Sequence, residues 1–146
     1  MLIYKITLTV FGDKFFPNEI LSKLSEDLNM VGYHSPTDKN DYDKNDYGFG
    51  AIFFMHPKIF SVLGEGTEYE EDFIEFFEKH HSLFIAFGAD EFDFFTEIYY
   101  SGEQCNFEIF DRTLLSRINK LQNNIALPVS VYHLKEKQIK ELLIIK

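Results

Sequence analysis

The sequence predicts an α+β fold, a mixed or mostly antiparallel sheet with helices packed on one face, from three observations. Apolar and polar side chains alternate with a period of two over Leu2–Phe11 and again over Glu91–Tyr100, the pattern of half-buried strands. Between them Tyr69, Phe73, Phe76, Phe77, His80, Phe84 and Phe87 recur at helical spacing, the buried stripe of one long amphipathic helix or of a helix with a second turn-linked piece from Ser82, with a strand at Leu83–Phe87 as the competing reading. The remaining segments complete the order β-α-β-α-β-β-α-β plus a short C-terminal element, in which strands outnumber helices and one hairpin stands out. The 146 residues read as a single domain over 1–146, long enough for its own core.

Each element has its own warrant. Gly12-Asp13 turns the first strand. Pro17 then sits where a helix begins, and Ile20, Leu21, Leu24 and Leu28 follow at helical spacing, so Pro17–Leu28 is expected to be helical. Residues 32–48 form a polar loop holding a tandem repeat, Asp38-Lys39-Asn40-Asp41-Tyr42 followed by Asp43-Lys44-Asn45-Asp46-Tyr47, a duplication that an exposed loop tolerates. Phe49–His56 is an apolar run suited to a buried strand. Thr67-x-x-Glu70 fits a capping box at the start of the aromatic helix, and Gly88 can end it in the left-handed conformation. After the strand Glu91–Tyr100, Ser101-Gly102 is expected to turn the chain into a second strand, Cys105–Phe110. Asp111 caps a third helix with Leu114, Ile118 and Leu121 on its inner face, and Phe110 and Leu115 form a staple. Leu127–Leu134 is the last strand, with Pro128 at its start or at a sheet edge, and Lys135–Lys146 a short helix over the sheet.

Composition narrows the function classes. The chain holds seventeen Phe, eight Tyr and no Trp. Aromatics on that scale serve a core or an interface. Cys105 alone cannot form an internal disulfide, which points to a reducing, cytoplasmic setting. The N-terminal stretch lacks the basic region and cleavage site of a signal peptide, and no run is apolar enough for a membrane helix. A net charge of −10 argues against direct phosphate binding to nucleic acid. That charge is unevenly spread: residues 65–111 carry fourteen carboxylates against one lysine, Lys79, whereas residues 112–146 carry seven Lys/Arg against two Glu. Such asymmetry speaks to partners.

Several segments resemble a family of small bacterial domains of unknown function, the one catalogued as 4279. The resemblance rests on Phe16-Pro17-x-Glu19-Ile20-x-x-x-Leu24, Pro36-Thr37, Gly48 before the aromatic strand, Phe107-Glu108-Ile109, Leu114-Leu115-x-x-Ile118 and Val129-Ser130-Val131-Tyr132, across roughly residues 2–134. Phe53 or Phe54 stands where that family has Trp. The resemblance implies an α+β fold and no established activity. Immunity proteins that neutralise bacterial toxins offer an analogy.

Motifs for chemistry are few. Asp41-x-Asp43-x-Asn45 matches positions 1, 3 and 5 of a calcium loop, but Asp46 replaces the glycine and Ile52 the bidentate glutamate that such a loop requires. Adjacent His80-His81 cannot readily face one metal ion, so His80 reads as a histidine at the core edge. Cys105 lies on an inward strand position beside Phe107 and Ile109, as a small hydrophobe. No phosphate-loop, dinucleotide or nucleophile-elbow pattern occurs, and no cofactor is implied. Glu68, Glu70, Glu71 and Asp72 suit a helix first turn, where the dipole favours negative charge.

The first expectation is therefore a non-enzymatic acidic protein that captures a basic protein, most concretely an immunity protein against a toxin such as a nuclease. Its candidate partner-binding residues are Glu71, Glu75, Glu78, Asp90, Glu91, Asp93, Glu97 and Tyr99, with Asp41, Asp43, Asp46 and Tyr47 of the loop. The alternatives are a small-molecule- or calcium-binding enzyme or sensor domain, and a nucleic-acid mimic that inhibits a defence enzyme.

Overall fold

The computed structural model describes residues 1–121 and 124–145. The chain is α+β, with strands β1 (Leu2–Gly12), β2 (Asn29–His34), β3 (Gly50–Met55), β4 (Ser61–Val62), β5 (Glu91–Tyr100), β6 (Ile125–Ala126) and β7 (Val129–His133), and helices α1 (Glu68–Ala86), α2 (Arg112–Leu121) and α3 (Glu136–Ile144). The mixed sheet runs β2-β3-β1-β5-β6, with β4 beside β1 and β7 beside β5. β1 is antiparallel to β3, β4 and β5, whereas β6 and β7 run parallel to β5. No helix among the described residues is long and apolar enough to cross a membrane.

The period-two strands sort their residues onto two faces. Leu2, Tyr4, Ile6, Leu8 and Val10 of β1, Ile52 and Phe54 of β3, and Phe92, Phe94 and Ile98 of β5 are buried in the main core. The aromatic stripe of α1 closes that core as expected. Phe76 packs on Phe54 at 4.8 Å between ring centroids, and Phe77 meets Phe92 at 5.0 Å and Phe94 at 5.4 Å. Edge-to-face contacts of this kind add to the burial energy of each ring. α2 extends the cover with buried Leu114 and Ile118, and the Asp111 carboxylate accepts the Leu114 N–H at 2.9 Å as its cap.

Four expectations need correction. Pro17–Leu28 is not one helix but two short 3-10 turns, Pro17–Glu19 and Leu21–Lys23. Ile20 and Leu28 are buried as their spacing demands, but Ser25 and Asp27 bond to each other, and Ser25 N–H is taken by His80, so the helix ends early. The chain turns instead into β2, a strand that starts directly after the expected helix and whose end falls in the expected loop. It sits at the sheet edge with a bulge between Met30 and Gly32, which breaks the alternation that would have marked it. Cys105–Phe110 forms no strand, because the β5 edge it would pair with is taken by β6 and β7. Phe110 packs against Phe94 from outside the sheet, and Leu115 is exposed. The capping box is not made: the Thr67 hydroxyl meets Glu71 at 3.1 Å, while Glu70 turns inward.

Gly88 ends α1 as expected, with φ +101°. A β-carbon there would lie 2.2 Å from the Lys14 carbonyl oxygen. Gly88→Ala is therefore expected to lower stability by about 2–4 kcal/mol in urea unfolding, from backbone strain and the clash together. An unchanged midpoint would show that the Lys14 turn does not press on the end of the helix.

Candidate partner-binding site

The second face of the sheet is where the functional reading settles. Its side chains are the alternate residues of the same strands: Lys5, Thr7 and Thr9 of β1, Phe53 and Met55 of β3, and Asp93, Phe95, Glu97 and Tyr99 of β5, all only partly exposed. α1 and α2 lie on the other side. At one end Phe60 packs on Tyr99 at 5.9 Å, Tyr132 stacks on Tyr99 at 5.0 Å, and α3 comes near β5. At the other end the loop after β2 folds back: Tyr47 stacks on His34 at 3.6 Å, and His34 contacts Phe49 and Phe53. Thr7, Thr9, Phe53, Met55, Asp93 and Phe95 form the open floor between these aromatic ends.

The predicted residues divide between the two sides of the molecule. Asp93, Glu97 and Tyr99 lie on the open face, Asp90 and Glu91 are exposed at the start of β5, and Tyr47 belongs to the aromatic wall. Asp41, Asp43 and Asp46 are on the same loop as Tyr47. Glu71, Glu75 and Glu78 lie across the sheet on α1, so the twelve do not make one continuous surface. Glu78 is held by a two-nitrogen contact from Arg117 of α2, and all three glutamates hold the Arg117 guanidinium above its usual pKa. Part of the basic C-terminal third thus answers part of the acidic middle internally.

The loop repeat folds as a small hairpin whose two copies are not equivalent. Asn40 N–H bonds to the Asn45 carbonyl and Tyr47 N–H to the Asp38 carbonyl, both at 2.9 Å. Asn40 Oδ1 accepts the N–H groups of Tyr42 and Asp43, and Asp43 Oδ1 accepts that of Asn45, which holds the Asp43 carboxyl below its usual range. Lys39 pairs with Asp46. These oxygens serve the loop's own backbone, and among the described residues no group of three or more His, Cys, Asp or Glu could hold a metal ion.

His56 and His80 are held in hydrogen bonds to their surroundings. His56 Nδ1 accepts the Lys58 N–H at 2.9 Å and Nε2 lies 2.7 Å from Asp72. His80, buried against Phe76, accepts Ser25 N–H at 3.1 Å through Nε2, while the Ser25 hydroxyl is 2.7 Å from Asp27. Burial lowers the pKa of His80 and of His81, which packs on Phe77 and Phe92. A groove of about 410 Å³ runs beside α1, lined by Asp27, His56, Asp72, Glu75, Phe76 and Lys79, and Lys79 already spans it to Asp27 at 3.3 Å.

Sequence reasoning missed Glu70. Assigned to a solvated first turn, it is only 3% exposed and accepts a hydrogen bond from the Tyr4 hydroxyl, and its second oxygen is buried without a partner. Burial raises its pKa, with Asp111 and Glu71 adding to the effect, and burial also raises that of Tyr4. The Tyr69 hydroxyl beside it accepts Ile6 N–H at 3.1 Å and donates to the Ile59 carbonyl at 2.8 Å. The signal was present: Glu70 stands four residues before buried Ile74 and seven before Phe77, on the flank of the stripe.

No family model matches the chain, and no curated protein or solved structure matches it either.

Proposed function

We propose that this protein is a non-catalytic binding protein that captures a basic protein partner on the open face of its sheet. The observation that carries this reading is that face itself. One side of the sheet is sealed by the aromatic core, while the other presents Phe53, Met55 and Phe95 together with carboxylates between two aromatic walls. Interfaces favour aromatic and sulfur-containing side chains at the centre and charge at the rim. The net charge of −10 adds long-range attraction for a cationic partner, raising association toward about 10⁸ M⁻¹s⁻¹ at low salt. The engagement of His56 and His80 in structural hydrogen bonds supports a role in occlusion rather than turnover. Immunity against a bacterial toxin, such as a basic nuclease whose cleft this face would block, is the most concrete version, and it rests on analogy.

Immobilised protein should retain a basic partner from its native lysate at about 0.05 M salt and release it near 0.5 M, because screening shortens the Debye length several-fold. Retention of only acidic or neutral proteins, or of a partner indifferent to salt, contradicts the reading.

A further inference from the structure

Two carboxylates of β5 on the open face are treated differently by the strand beside them. Glu97 faces Lys5 across the β1–β5 ladder, and their charged ends lie 3.3 Å apart. Asp93 faces Thr9, four residues further along both strands and therefore at the same kind of antiparallel pairing position. Its carboxylate has no hydrogen-bond or ion-pair partner among the described residues. Asp93 is partly buried, Phe95 lies two residues along the same strand at about 7 Å, and Phe53 flanks Thr9 on the far side. The fold thus supplies a cation for one carboxylate and leaves the other unanswered, between Thr9 and Ala126 and beside the apolar part of the floor.

We propose that Asp93 is the anchor of this face, receiving an arginine of the basic partner whose apolar neighbours spread over Phe53, Met55 and Phe95. This rests on the reading of the open face as the binding surface and names the chemistry that the face selects. An isolated carboxylate among apolar groups is disfavoured in its charged form, and burial does push the Asp93 carboxyl upward. A guanidinium relieves that penalty. Arginine fits better than lysine because its planar head can bridge both carboxylate oxygens and stack on an aromatic ring at once. Arginine and aromatic anchors at the centre of a patch are also where interface energy concentrates. The acidic side of α1 lacks this character, since Arg117, His56 and Lys79 already meet Glu78, Asp72 and Asp27 there and Glu75 is exposed to solvent.

The probe is a short synthetic peptide of alternating arginine and valine, compared with versions carrying lysine or citrulline in place of arginine. Binding is measured by calorimetry on the wild-type protein and on Asp93→Asn, Thr9→Lys, Phe53→Ala and the double variant Glu71→Gln/Glu75→Gln. Thr9→Lys places a lysine opposite Asp93 as Lys5 stands opposite Glu97, so it should fill the site while the thermal midpoint holds or rises. The expected result is a loss of about tenfold or more in affinity for Asp93→Asn and Thr9→Lys, little change for the α1 double variant, weaker binding of the lysine peptide and none of the citrulline peptide. Wild-type affinity in Asp93→Asn, or equal binding of the lysine peptide, overturns the inference. If Thr9→Lys keeps wild-type binding while Phe53→Ala loses it, the anchor is wrong and the open-face reading stands; if the α1 double variant alone loses binding, the anchor and the open face are both wrong. If wild-type protein binds neither the arginine peptide nor any basic partner, both fall.

Discussion

Phe77→Ala is expected to remove about 3–5 kcal/mol of stability, a large part of what a domain of this size possesses. Phe77 is fully buried and stands edge-to-face between Phe92 and Phe94, so truncation loses both transfer energy and ring contacts and leaves a cavity beneath α1. Phe53→Ala and Phe95→Ala on the open face should cost only about 1 kcal/mol each, because those rings are partly exposed and outside the main core. Urea unfolding of the three variants checks the contrast. Comparable losses would mean that the open face belongs to the folding core, and its availability for a partner would be in doubt.

The second large effect concerns Glu70 and depends on pH. The folded protein raises the Glu70 pKa because burial opposes its charge, Asp111 and Glu71 oppose it further, and the Tyr4 hydroxyl compensates only in part. The sign follows directly. With the folded pKa above the unfolded value of about 4.3, the protonated group's contribution is fully present below that value and is lost as pH rises through the folded pKa. In that window the wild-type protein should lose up to about 1.4 kcal/mol per pH unit relative to Glu70→Gln, which cannot ionise. Removing one partner leaves the other unsatisfied, so Tyr4→Phe should cost about 1–3 kcal/mol, and the double variant Tyr4→Phe/Glu70→Met should recover much of it. Thermal midpoints from pH 4 upward measure both. A pH-independent difference between wild type and Glu70→Gln would show that Glu70 ionises as freely in the fold as outside it.

The contrast between what could be read from the chain and what could not has a physical basis. β1, β3, β5 and α1 were legible because their periodicity reports burial directly, and burial is what orders them. The helix expected at Pro17–Leu28 has the right apolar spacing, but spacing alone does not decide between a helix and turns that bury the same residues. The strand expected at Cys105–Phe110 was lost to a competition that only the whole topology reveals, since a later segment claims the edge of β5 in parallel. The candidate residues on β5 stand out by their alternation, which puts the strand's charge on one of its two faces. Their division from Glu71, Glu75 and Glu78 was not legible, because sequence shows which residues share an element and not which side of a sheet a helix covers. Thr9 opposite Asp93 required the register, which links positions eighty-four residues apart.

The central claim, that the open sheet face receives a basic partner, is tested most directly by mapping amide perturbations on isotopically labelled protein as a captured partner, or the arginine–valine peptide, is titrated in. Changes should concentrate at Thr7, Thr9, Phe53, Asp93, Phe95 and Tyr47 and leave the exposed side of α1 untouched. Perturbation centred on Glu71 and Glu75, with β1 and β5 silent, would contradict it.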